Sequence, residues 1–583
     1  MFISLVFVLY DMVTWNLSHI LVQPLDKVKR DLFFNVEKIE SFKPLKASLS
    51  PSAFQSLVLR LEKTYGSMSR LAAFSQLQLS INTADPIYNA FAKQIEQLSA
   101  EIANRLLFVD VWWKRLPKKQ ALRLLSSLKK DRYYWESLRR FAPHTLSEPE
   151  EKIITIKDVT GANSLANLYD VITNKFSFPI RIDGKSKTVT QEELLTLVRS
   201  PVSQVRKMAY TALLTRYQEH RAELSELYRS LVLDWNNEGR LRQYSSPLSI
   251  RNLRNDIPDD AVDALLSACQ KNAGLFKQYF KKKMKICGIT RPSRFDVYAP
   301  FTASSTKYSF NQAKELVLDT FADFSPRMHA HAQMLFEQQH VHSDIVRGKR
   351  SGAFCYSATP DLVPYVLLNF TGTAYDVSTL AHETGHAVHS LLAQHHSVFT
   401  FHAPLPLAET ASIFSEMLLT HKLLKGADAR TKRSLLLREL DHIYASVGRQ
   451  AFFVLFERKA HDLISNGATS DDLDAAWMEG LREQFAHAVS ISPLFKNEWL
   501  YIPHIFHTPF YCYAYAFGNL LVLALYRLYQ QEGERAVSKI EKILSYGGSK
   551  KPGEILEEVG IDISSLEFWQ SGFDVIKELI DEL

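Results

Sequence analysis

The sequence predicts a mainly α protein with a small β patch, and three observations lead to this fold class. Apolar residues recur at helical spacing through most of residues 25–290, where runs of β-branched residues are few. Between residues 346 and 373 the pattern changes to two short apolar runs bounded by turn residues. Beyond residue 373 helical spacing continues almost to the end of the chain. No fixed repeat period is visible, so a solenoid is not expected.

The N-terminal part reads as a succession of amphipathic helices, for example over residues 53–65, 86–107 and 191–199. Basic clusters such as Lys281-Lys282-Lys283 lie in helical context beside acidic segments. The net charge is only +6 over 583 residues. A nucleic-acid-binding protein normally shows a concentrated basic face, so we expect solvated helix faces and no nucleic-acid partner.

The four cysteines and the N-terminus predict where the protein resides. Cys269, Cys287, Cys355 and Cys512 form no C-x-x-C pair and are too few for a disulfide scaffold. Residues 1–10 are apolar but lack a basic region and a cleavage site, so we expect a strand or helix start, or an upstream extension, rather than a signal peptide. No stretch reaches the roughly 18–20 apolar residues that cross a bilayer. We therefore expect a cytoplasmic protein with no membrane partner.

Two short strands are predicted over residues 350–357 and 362–370, joined by a turn at residues 358–360. A helix follows, for which Asp376 is a good N-cap, with the first helical residue at Val377. On a helical wheel the apolar residues of this helix form one stripe, and three histidines fall on the neighbouring face. The stripe comprises Val377, Leu380, Ala381, Val388, Leu391 and Leu392, and the histidines are His382, His386 and His389.

His382 and His386 frame an H-E-x-x-H motif on this helix. Imidazoles at i and i+4 lie one turn apart, which suits two corners of a tetrahedral zinc site. Glu383 projects to the side, where it can reach a water in the site without ligating the metal. Gly385 leaves room for a close neighbour, although it lowers helix propensity. His389 lies one turn beyond the motif and is expected to pack beside the site rather than to ligate.

A third protein ligand is expected on a second helix, which begins near Leu407 and ends at Gly426. Glu409 and Glu416 share one stripe of this otherwise apolar helix. Two acids in such a place need a cationic partner, because a lone buried carboxylate is costly. We assign Glu409 as the third ligand and Glu416 as the carboxylate that orients a ligand histidine. The alternative is that both are surface carboxylates.

These motifs resemble the thimet oligopeptidase family, specifically its oligoendopeptidase F branch. The resemblance is carried by residues 367–372, 376–389 and 408–412, and it extends to residues 15–18 and 502–518. It covers most of the chain from about residue 13 onward. In the family the glutamate of the second motif is the third zinc ligand, so the resemblance selects Glu409 over Glu416.

The resemblance also implies an architecture and a substrate class. The family fold is a mostly helical ellipsoid divided by a deep channel, with the zinc at its floor. Together with the position of the candidate site, the resemblance implies two domains. Residues 1–200 form an N-terminal helical domain that serves as a channel wall or lid, and residues 201–583 form the zinc peptidase domain. It implies cleavage of oligopeptides and exclusion of folded proteins. We expect a monomer.

The C-terminal segment offers candidate oxyanion donors. Thr508 and Pro509 are a good N-cap and first residue for a helix on which Tyr511 and Tyr515 would share a face, and His504 lies just before it. The family has a histidine and tyrosines in this region that donate hydrogen bonds to the oxyanion. The glycine-rich loop of the thimet branch is missing from this sequence. The alternative interpretation of these side chains is an aromatic packing cluster.

The prediction is a zinc metalloendopeptidase with one Zn²⁺ per chain, held by His382, His386 and Glu409, and with Glu383 as general base. The sequence leaves open whether Mn²⁺ or Co²⁺ replaces zinc. Two other functions stay open: an exopeptidase on the same site, and a non-catalytic peptide-binding protein with a structural metal.

The β patch is the expected place for substrate binding. The strands near Ala353 and Leu367 are candidates to pair with an extended peptide backbone. Gly352, Ala353 and Asn369 are the candidate substrate-binding residues.

Overall fold

A computed structural model describes residues 15–21, 23–43, 48–182, 184–301 and 307–583. Most of these residues are helical, and the strands are few and short. The mainly α fold with a small β patch is confirmed. The strand or helix start expected at residues 1–10 lies outside the described residues.

The α-helices are numbered in chain order. Those of the first half are α1 (Leu25–Glu40), α2 (Pro51–Ile81), α3 (Pro86–Arg115), α4 (Lys118–Leu125), α5 (Arg132–Ser137), α6 (Glu148–Thr160), α7 (Ala162–Thr173), α8 (Gln191–Leu197), α9 (Ser203–Glu219), α10 (Arg221–Leu241), α11 (Pro247–Asn255), α12 (Asp259–Lys271) and α13 (Ala273–Ile286). Those of the second half are α14 (Phe310–Phe324), α15 (Pro326–Glu337), α16 (Ala374–Leu392), α17 (Leu405–Ala408), α18 (Thr410–Gly426), α19 (Ala429–Ile443), α20 (Arg449–Ser465), α21 (Ser470–Phe485), α22 (Pro503–His507), α23 (Tyr513–Glu532), α24 (Glu534–Ser545), α25 (Pro552–Glu557) and α26 (Leu566–Asp581).

The strands form two small sheets. The first is an antiparallel hairpin that the sequence pattern did not predict, because its second strand is almost wholly polar. The second sheet has three strands, and its middle strand pairs in parallel with one neighbour and antiparallel with the other. The strands are β1 (Phe178–Ile182), β2 (Lys185–Val189), β3 (Val341–His342), β4 (Phe354–Tyr356) and β5 (Tyr365–Leu367), with β5 in the middle of the second sheet.

The chain forms two compact units, each built from separate stretches. The first unit holds the described residues up to Arg140, those from 307 to Lys422, and Glu534–Lys550. The second holds the described residues from Phe141 to 301, then Leu423–Gly533 and Lys551–Leu583. The predicted domain boundary at residue 200 rests on the functional parts that the family resemblance implies, whereas these two units are defined by contacts within the chain. The predicted boundary therefore stays a prediction.

The first unit is held together by two apolar clusters. The larger joins α1–α5 around Phe54, Trp113 and Trp135, whose rings stack or meet edge to face. The smaller joins the end of α2 to the three-stranded sheet. In it the Trp15 indole donates a hydrogen bond to the Val366 carbonyl over 2.9 Å. Buried aromatic groups of this size dominate core energetics, so the sheet beside α16 rests on a rigid base.

Candidate active site

The helix α16 carries the H-E-x-x-H motif, and its start differs from the prediction. Its N-cap is Thr373, whose hydroxyl accepts a hydrogen bond from the Asp376 amide at 3.2 Å. The Asp376 carboxylate accepts in turn from the amides of Thr371 and Thr373, both at 2.9 Å. The prediction of Asp376 as N-cap is therefore wrong by one turn. Asp376 is the third helical residue of a capping box, in which cap and carboxylate satisfy each other's backbone groups.

The three predicted metal ligands lie together. The Nε2 atoms of His382 and His386 are 3.2 Å apart, and Oε2 of Glu409 lies 3.4 Å from the first and 3.2 Å from the second. Tetrahedral ligands at about 2.0–2.1 Å from a zinc ion lie roughly 3.3–3.4 Å from one another, so this donor set fits a zinc site. The residues therefore fit the metal that the motif implies.

Gly385 explains how Glu409 comes to face the histidines. A Cβ atom at residue 385 would lie 2.6 Å from the Ser412 Cα atom and 2.7 Å from the Ala411 carbonyl oxygen. Only glycine lets α16 approach the first turn of α18 this closely. Glu409 itself lies between α17 and α18 and ends α17 with a right-handed helical backbone conformation. The Ser412 hydroxyl is 3.0 Å from Glu409 Oε2 and 2.9 Å from its backbone oxygen, which holds the carboxylate in place.

Glu416 lies outside the predicted ligand set and contacts it through His382. Its Oε1 accepts a hydrogen bond from Nδ1 of His382 over 2.7 Å, and its Oε2 accepts one from the Ser378 hydroxyl over 2.9 Å. A proton on Nδ1 leaves Nε2 of His382 as the free lone pair that faces Glu409. Burial acts to lower the pKa of His382, but the hydrogen bond and charge of Glu416, with the charges of Glu383 and Glu409, together outweigh it and raise this pKa to about 8.

Glu383 and His389 flank the ligand set on α16. Both are buried, with 7% of each residue exposed. Burial raises the pKa of Glu383, and no hydrogen bond engages its carboxylate within the described part of the chain. Burial lowers the pKa of His389 to about 4, so this imidazole is neutral at pH 7. His389 lies outside the three-residue donor set.

A cavity of about 650 Å³ opens beside these residues, entirely within the first unit. Glu383 and the three ligands line one side, and residues 353–358, which include β4, line another. In the three-stranded sheet β4 pairs only with β5, so its other edge is unpaired within the described residues. The strand near Leu367 is β5, which is paired on both sides. Of the two strands predicted to accept a peptide, only β4 is therefore available.

The predicted substrate-binding residues take different places around β4. Ala353 lines the cavity. Asn369 instead holds the backbone before β4, because its amide donates to the carbonyls of Arg350 at 3.1 Å and Gly352 at 2.9 Å. Gly352 has a φ of +81°, which few other residues adopt, so it completes this turn. Gly352 and Asn369 thus support the strand edge.

The second unit brings His504, Tyr511 and Tyr515 together. The ring centroids of Tyr511 and Tyr515 are 5.3 Å apart, and the His504 ring lies 6.2 Å from the first and 6.0 Å from the second. Burial lowers the pKa of His504, and the charge of Arg449 lowers it further.

The helix predicted to begin at Thr508 begins instead at Tyr513. Thr508 is the C-cap of α22, and its amide donates to the His504 carbonyl over 2.9 Å. The prediction of Thr508 as N-cap is wrong, because Thr508 is the residue that caps the C-terminus of the short helix α22. Tyr511 therefore lies in a turn before α23. The conformation of this turn, rather than a shared helix face, brings its ring against that of Tyr515.

Several cavity residues escaped the sequence interpretation. Ser69 comes from α2, and Phe401 and His402 come from the segment before α17. Cys355 also lines the cavity, from β4. None of them belongs to a spaced motif, so no local pattern marks them. Cys355 differs from the other three in one respect: it lies two residues after Ala353, one of the predicted substrate-binding residues.

Comparison with known proteins places the chain in a family. Residues 196–575 match the model of peptidase family M3, and residues 112–178 match the model described as oligopeptidase F. The plasmid-encoded oligoendopeptidase F of Lactococcus lactis subsp. cremoris is 25% identical over 98% of this chain and 97% of its own. The oligopeptidase PepF of Bacillus subtilis is 25% identical over 98% of this chain and 86% of its own.

Solved structures show the same fold. A crystal structure of a Chlamydophila abortus protein superposes with a TM-score of 0.89 at 26% identity, covering 98% of this chain and 97% of that one. The oligoendopeptidase F of Enterococcus faecium superposes with a TM-score of 0.69 at 21% identity, covering 96% and 99%. Among the described residues, every helix is too short or too polar to cross a membrane. The chain belongs to peptidase family M3, in its oligoendopeptidase F branch, and is a metallo-endopeptidase.

Proposed function

We propose that this metallo-endopeptidase uses one zinc ion to hydrolyse internal bonds of short, unfolded oligopeptides. The observation that carries the proposal is the convergence of His382, His386 and Glu409 within 3.4 Å beside the unengaged Glu383 carboxylate. Two imidazoles and one carboxylate are a ligand set of catalytic zinc sites. A bound zinc ion supplies Lewis acidity that polarises the scissile carbonyl and lowers the pKa of a water molecule towards about 7.

Glu383 does the proton transfer in this proposal. Its carboxylate accepts a proton from the attacking water and delivers it to the leaving amine, which completes hydrolysis with no net change in the protein. Its burial supports the role, because a carboxylate whose pKa is raised by burial is a stronger base than one in water. Glu416 and Ser412 keep His382 and Glu409 oriented towards the metal.

The free edge of β4 is the proposed binding site for the substrate backbone. An extended peptide that adds to this edge forms main-chain hydrogen bonds, which do not depend on side-chain identity. Ala353 lies at the cavity wall, and Asn369 fixes the turn at Gly352 that leads into the strand. Recognition through the backbone also favours unfolded peptides, because the strands of a folded protein are already paired.

His504, Tyr511 and Tyr515 are proposed to donate hydrogen bonds to the oxyanion that forms during hydrolysis. The family resemblance supports this role, and the mutual contact of the three rings is compatible with it. Oligopeptide substrates are supported by the relatives' descriptions as oligoendopeptidase F and oligopeptidase. We also propose a reducing cytoplasmic location, which the four free thiols support.

A structural metal in a non-catalytic protein is the main competing function. Structural zinc sites are usually closed by four protein ligands. Within the described residues the site offers three, and the fourth side faces the cavity with Glu383. This arrangement favours the catalytic alternative.

Internally quenched peptides of graded length, blocked at both termini, test the proposal. We expect cleavage of the blocked peptides, loss of activity with a chelator, and recovery when zinc is restored. Mass spectrometry of the products then maps the bond cleaved and the length limit. Activity only on peptides with a free terminus would indicate an exopeptidase, and no cleavage of any peptide by metal-loaded protein would indicate a binding protein. Parallel reconstitution with Mn²⁺ and Co²⁺ tests the choice of metal.

A further inference from the structure

The turn that carries Tyr511 contains a strained residue. Phe510 has a φ of +59°, a conformation that a bulky side chain rarely adopts. Its side chain is buried, with 1% of the residue exposed, and its ring lies 4.5 Å from the ring of His461. Strain of this kind persists only where surrounding contacts impose it, and it concentrates at functional sites.

Glu457 on α20 supplies one of these contacts. It is fully buried, and its Oε1 accepts a hydrogen bond from the Phe510 amide over 2.7 Å. Its Oε2 has no hydrogen-bond partner in the described part of the chain. Burial raises the pKa of Glu457 to about 8, although the Phe510 amide and the charge of Arg251 oppose the rise. At pH 7 the group is therefore mainly an uncharged carboxylic acid that accepts one backbone hydrogen bond.

Arg251 on α11 holds the neighbouring residue. Its Nε donates to the Pro509 carbonyl over 3.0 Å. Two side chains distant in sequence thus bind consecutive residues of one turn, Glu457 through an amide and Arg251 through a carbonyl. Residues 508–512 form no regular secondary structure, so these two contacts, together with the hydrogen bond from the Tyr511 amide to the Thr508 carbonyl over 3.1 Å, set the direction in which Tyr511 leaves the backbone.

We propose that Glu457 is a positioning residue for Tyr511. By holding the Phe510 amide it keeps the strained turn in the conformation that places the Tyr511 ring 5.3 Å from Tyr515 and nearly parallel to His504. Arg251 assists from the Pro509 side. This inference rests on the catalytic role proposed above for Tyr511, since Glu457 acts on the reaction only through it.

A set of variants tests this inference. Glu457→Leu has a similar volume but no acceptor, whereas Glu457→Gln keeps an acceptor oxygen. Arg251→Met removes the second tether. Tyr511→Phe is made alone and combined with Glu457→Leu and with Arg251→Met. Tyr513→Phe is the matched control, because Tyr513 lies two residues away and its hydroxyl accepts a hydrogen bond from Asn255 instead. For each variant, kcat, KM, metal content and melting temperature are measured.

We expect Tyr511→Phe to lower kcat about 100-fold, the usual effect of removing one oxyanion donor. Glu457→Leu should lower kcat about tenfold or more, because a displaced donor loses much of its effect, while KM and metal content change little. Glu457→Gln should stay within about twofold of wild type. In the Tyr511→Phe background Glu457→Leu should cause no further loss, which a general weakening of the fold would not predict.

Three outcomes would overturn the inference. An unchanged kcat in Tyr511→Phe overturns the proposed role of Tyr511, and with it the positioning role. A lowered kcat in Tyr511→Phe with an unchanged kcat in Glu457→Leu overturns the positioning role alone. Equal losses from Glu457→Leu with and without Tyr511 show that Glu457 acts elsewhere. Should Glu457→Leu fail to fold, Arg251→Met decides: a loss of kcat that disappears in the Tyr511→Phe background supports the positioning of this turn, and a persistent loss contradicts it.

Discussion

Glu409 in the first unit and Glu457 in the second are both carboxylates among apolar helices, yet their surroundings set opposite charge states. Burial acts to raise the pKa of each. Beside the imidazoles of His382 and His386, the pKa of Glu409 nevertheless falls to about 2. Glu457 meets a single backbone amide and the charge of Arg251, and its pKa still rises to about 8. The Glu409 side chain is also 47% exposed, whereas Glu457 is fully buried, so neighbouring charge and exposure together decide which carboxylate is an anion that can hold a metal.

The two regions also differ in how they are built. The candidate metal centre draws its groups from one continuous stretch, residues 382–416, and helical spacing places those on α16. The turn at Phe510 is held by Arg251 and Glu457, which are 258 and 53 positions from their partners. Damage to the first region should abolish metal binding, and damage to the second should slow catalysis while the metal stays bound.

Removal of a ligand should have the largest effect. His382→Ala and Glu409→Ala should lower zinc affinity about 100-fold or more, because a zinc site draws roughly 10–16 kcal/mol from its ligand set. Metal analysis after dialysis against a competing chelator measures this loss. Glu416→Ala is the graded control, for which a decrease of about 10–100-fold is expected. Unchanged zinc content in Glu409→Ala would place the third ligand elsewhere.

Loss of the general base should separate catalysis from metal binding within the first unit. Glu383→Gln should retain zinc and lower kcat by roughly 10²–10⁴, because the glutamine amide cannot accept the proton. Steady-state cleavage of a quenched peptide and metal analysis of the same sample provide both values. Full activity of this variant would contradict the assignment of Glu383.

The close contact of α16 with α18 should be sensitive to a single methyl group. Gly385→Ala places a Cβ 2.6 Å from the Ser412 Cα atom, so α18 must move and carry Glu409 with it. We expect a loss of about 1–3 kcal/mol of stability and weaker zinc binding. Gly480→Ala is the control, since its nearest neighbour would be 3.7 Å away and alanine favours the helix. Equal zinc affinity in the two variants would show that this contact does not place Glu409.

The neutral state of Glu457 predicts a pH dependence of stability in the second unit. The pKa is raised to about 8 in the folded protein, against an ordinary value of 4.5. The folded state therefore binds the proton more tightly, and this stabilisation, complete below about pH 4.5, is lost as pH rises towards 8. Between pH 5 and 8 the melting temperature of wild type should fall by a few degrees relative to Glu457→Gln, which does not titrate. A constant difference between the two would mean that Glu457 is ionised when folded.

The smallest effect is expected at the support of β4. Asn369→Ala removes two hydrogen bonds, to the carbonyls of Arg350 and Gly352, worth about 0.5–1.5 kcal/mol each. KM should rise roughly three- to tenfold with kcat nearly unchanged, because the role proposed for the strand edge is to bind substrate and not to take part in the chemistry. Asn466→Ala, which removes only a local bond to Asp462, should leave both constants unchanged. A fall in kcat without a change in KM would contradict a binding role.

Much of the metal centre was predictable from sequence because its physics is local. Helical periodicity places the two histidines at i and i+4 and Glu383 beside them on α16, and the apolar pattern of the next helical segment marks its two glutamates as candidates. Even there local signals compete: Asp376 has the side chain of a good N-cap, but Thr373, three residues earlier, is the N-cap and forms the capping box with it. Residues 382–416 therefore specified the candidate ligands, the base and the helices that carry them.

Tertiary structure alone decided the rest, because the contacts are between residues far apart in sequence. Gly385 is needed only because α18 packs closely against it. In its sheet β4 pairs with β5 along one edge, and its other edge stays unpaired within the described residues. Asn369 holds a turn that lies 17 to 19 residues earlier. The strain at Phe510 has no sequence signal, since a non-glycine residue at positive φ is imposed by distant partners rather than by its own preference. Periodicity and spacing determined which side chains are the candidates for the chemistry, and long-range packing determined where each one lies and which carboxylates are charged.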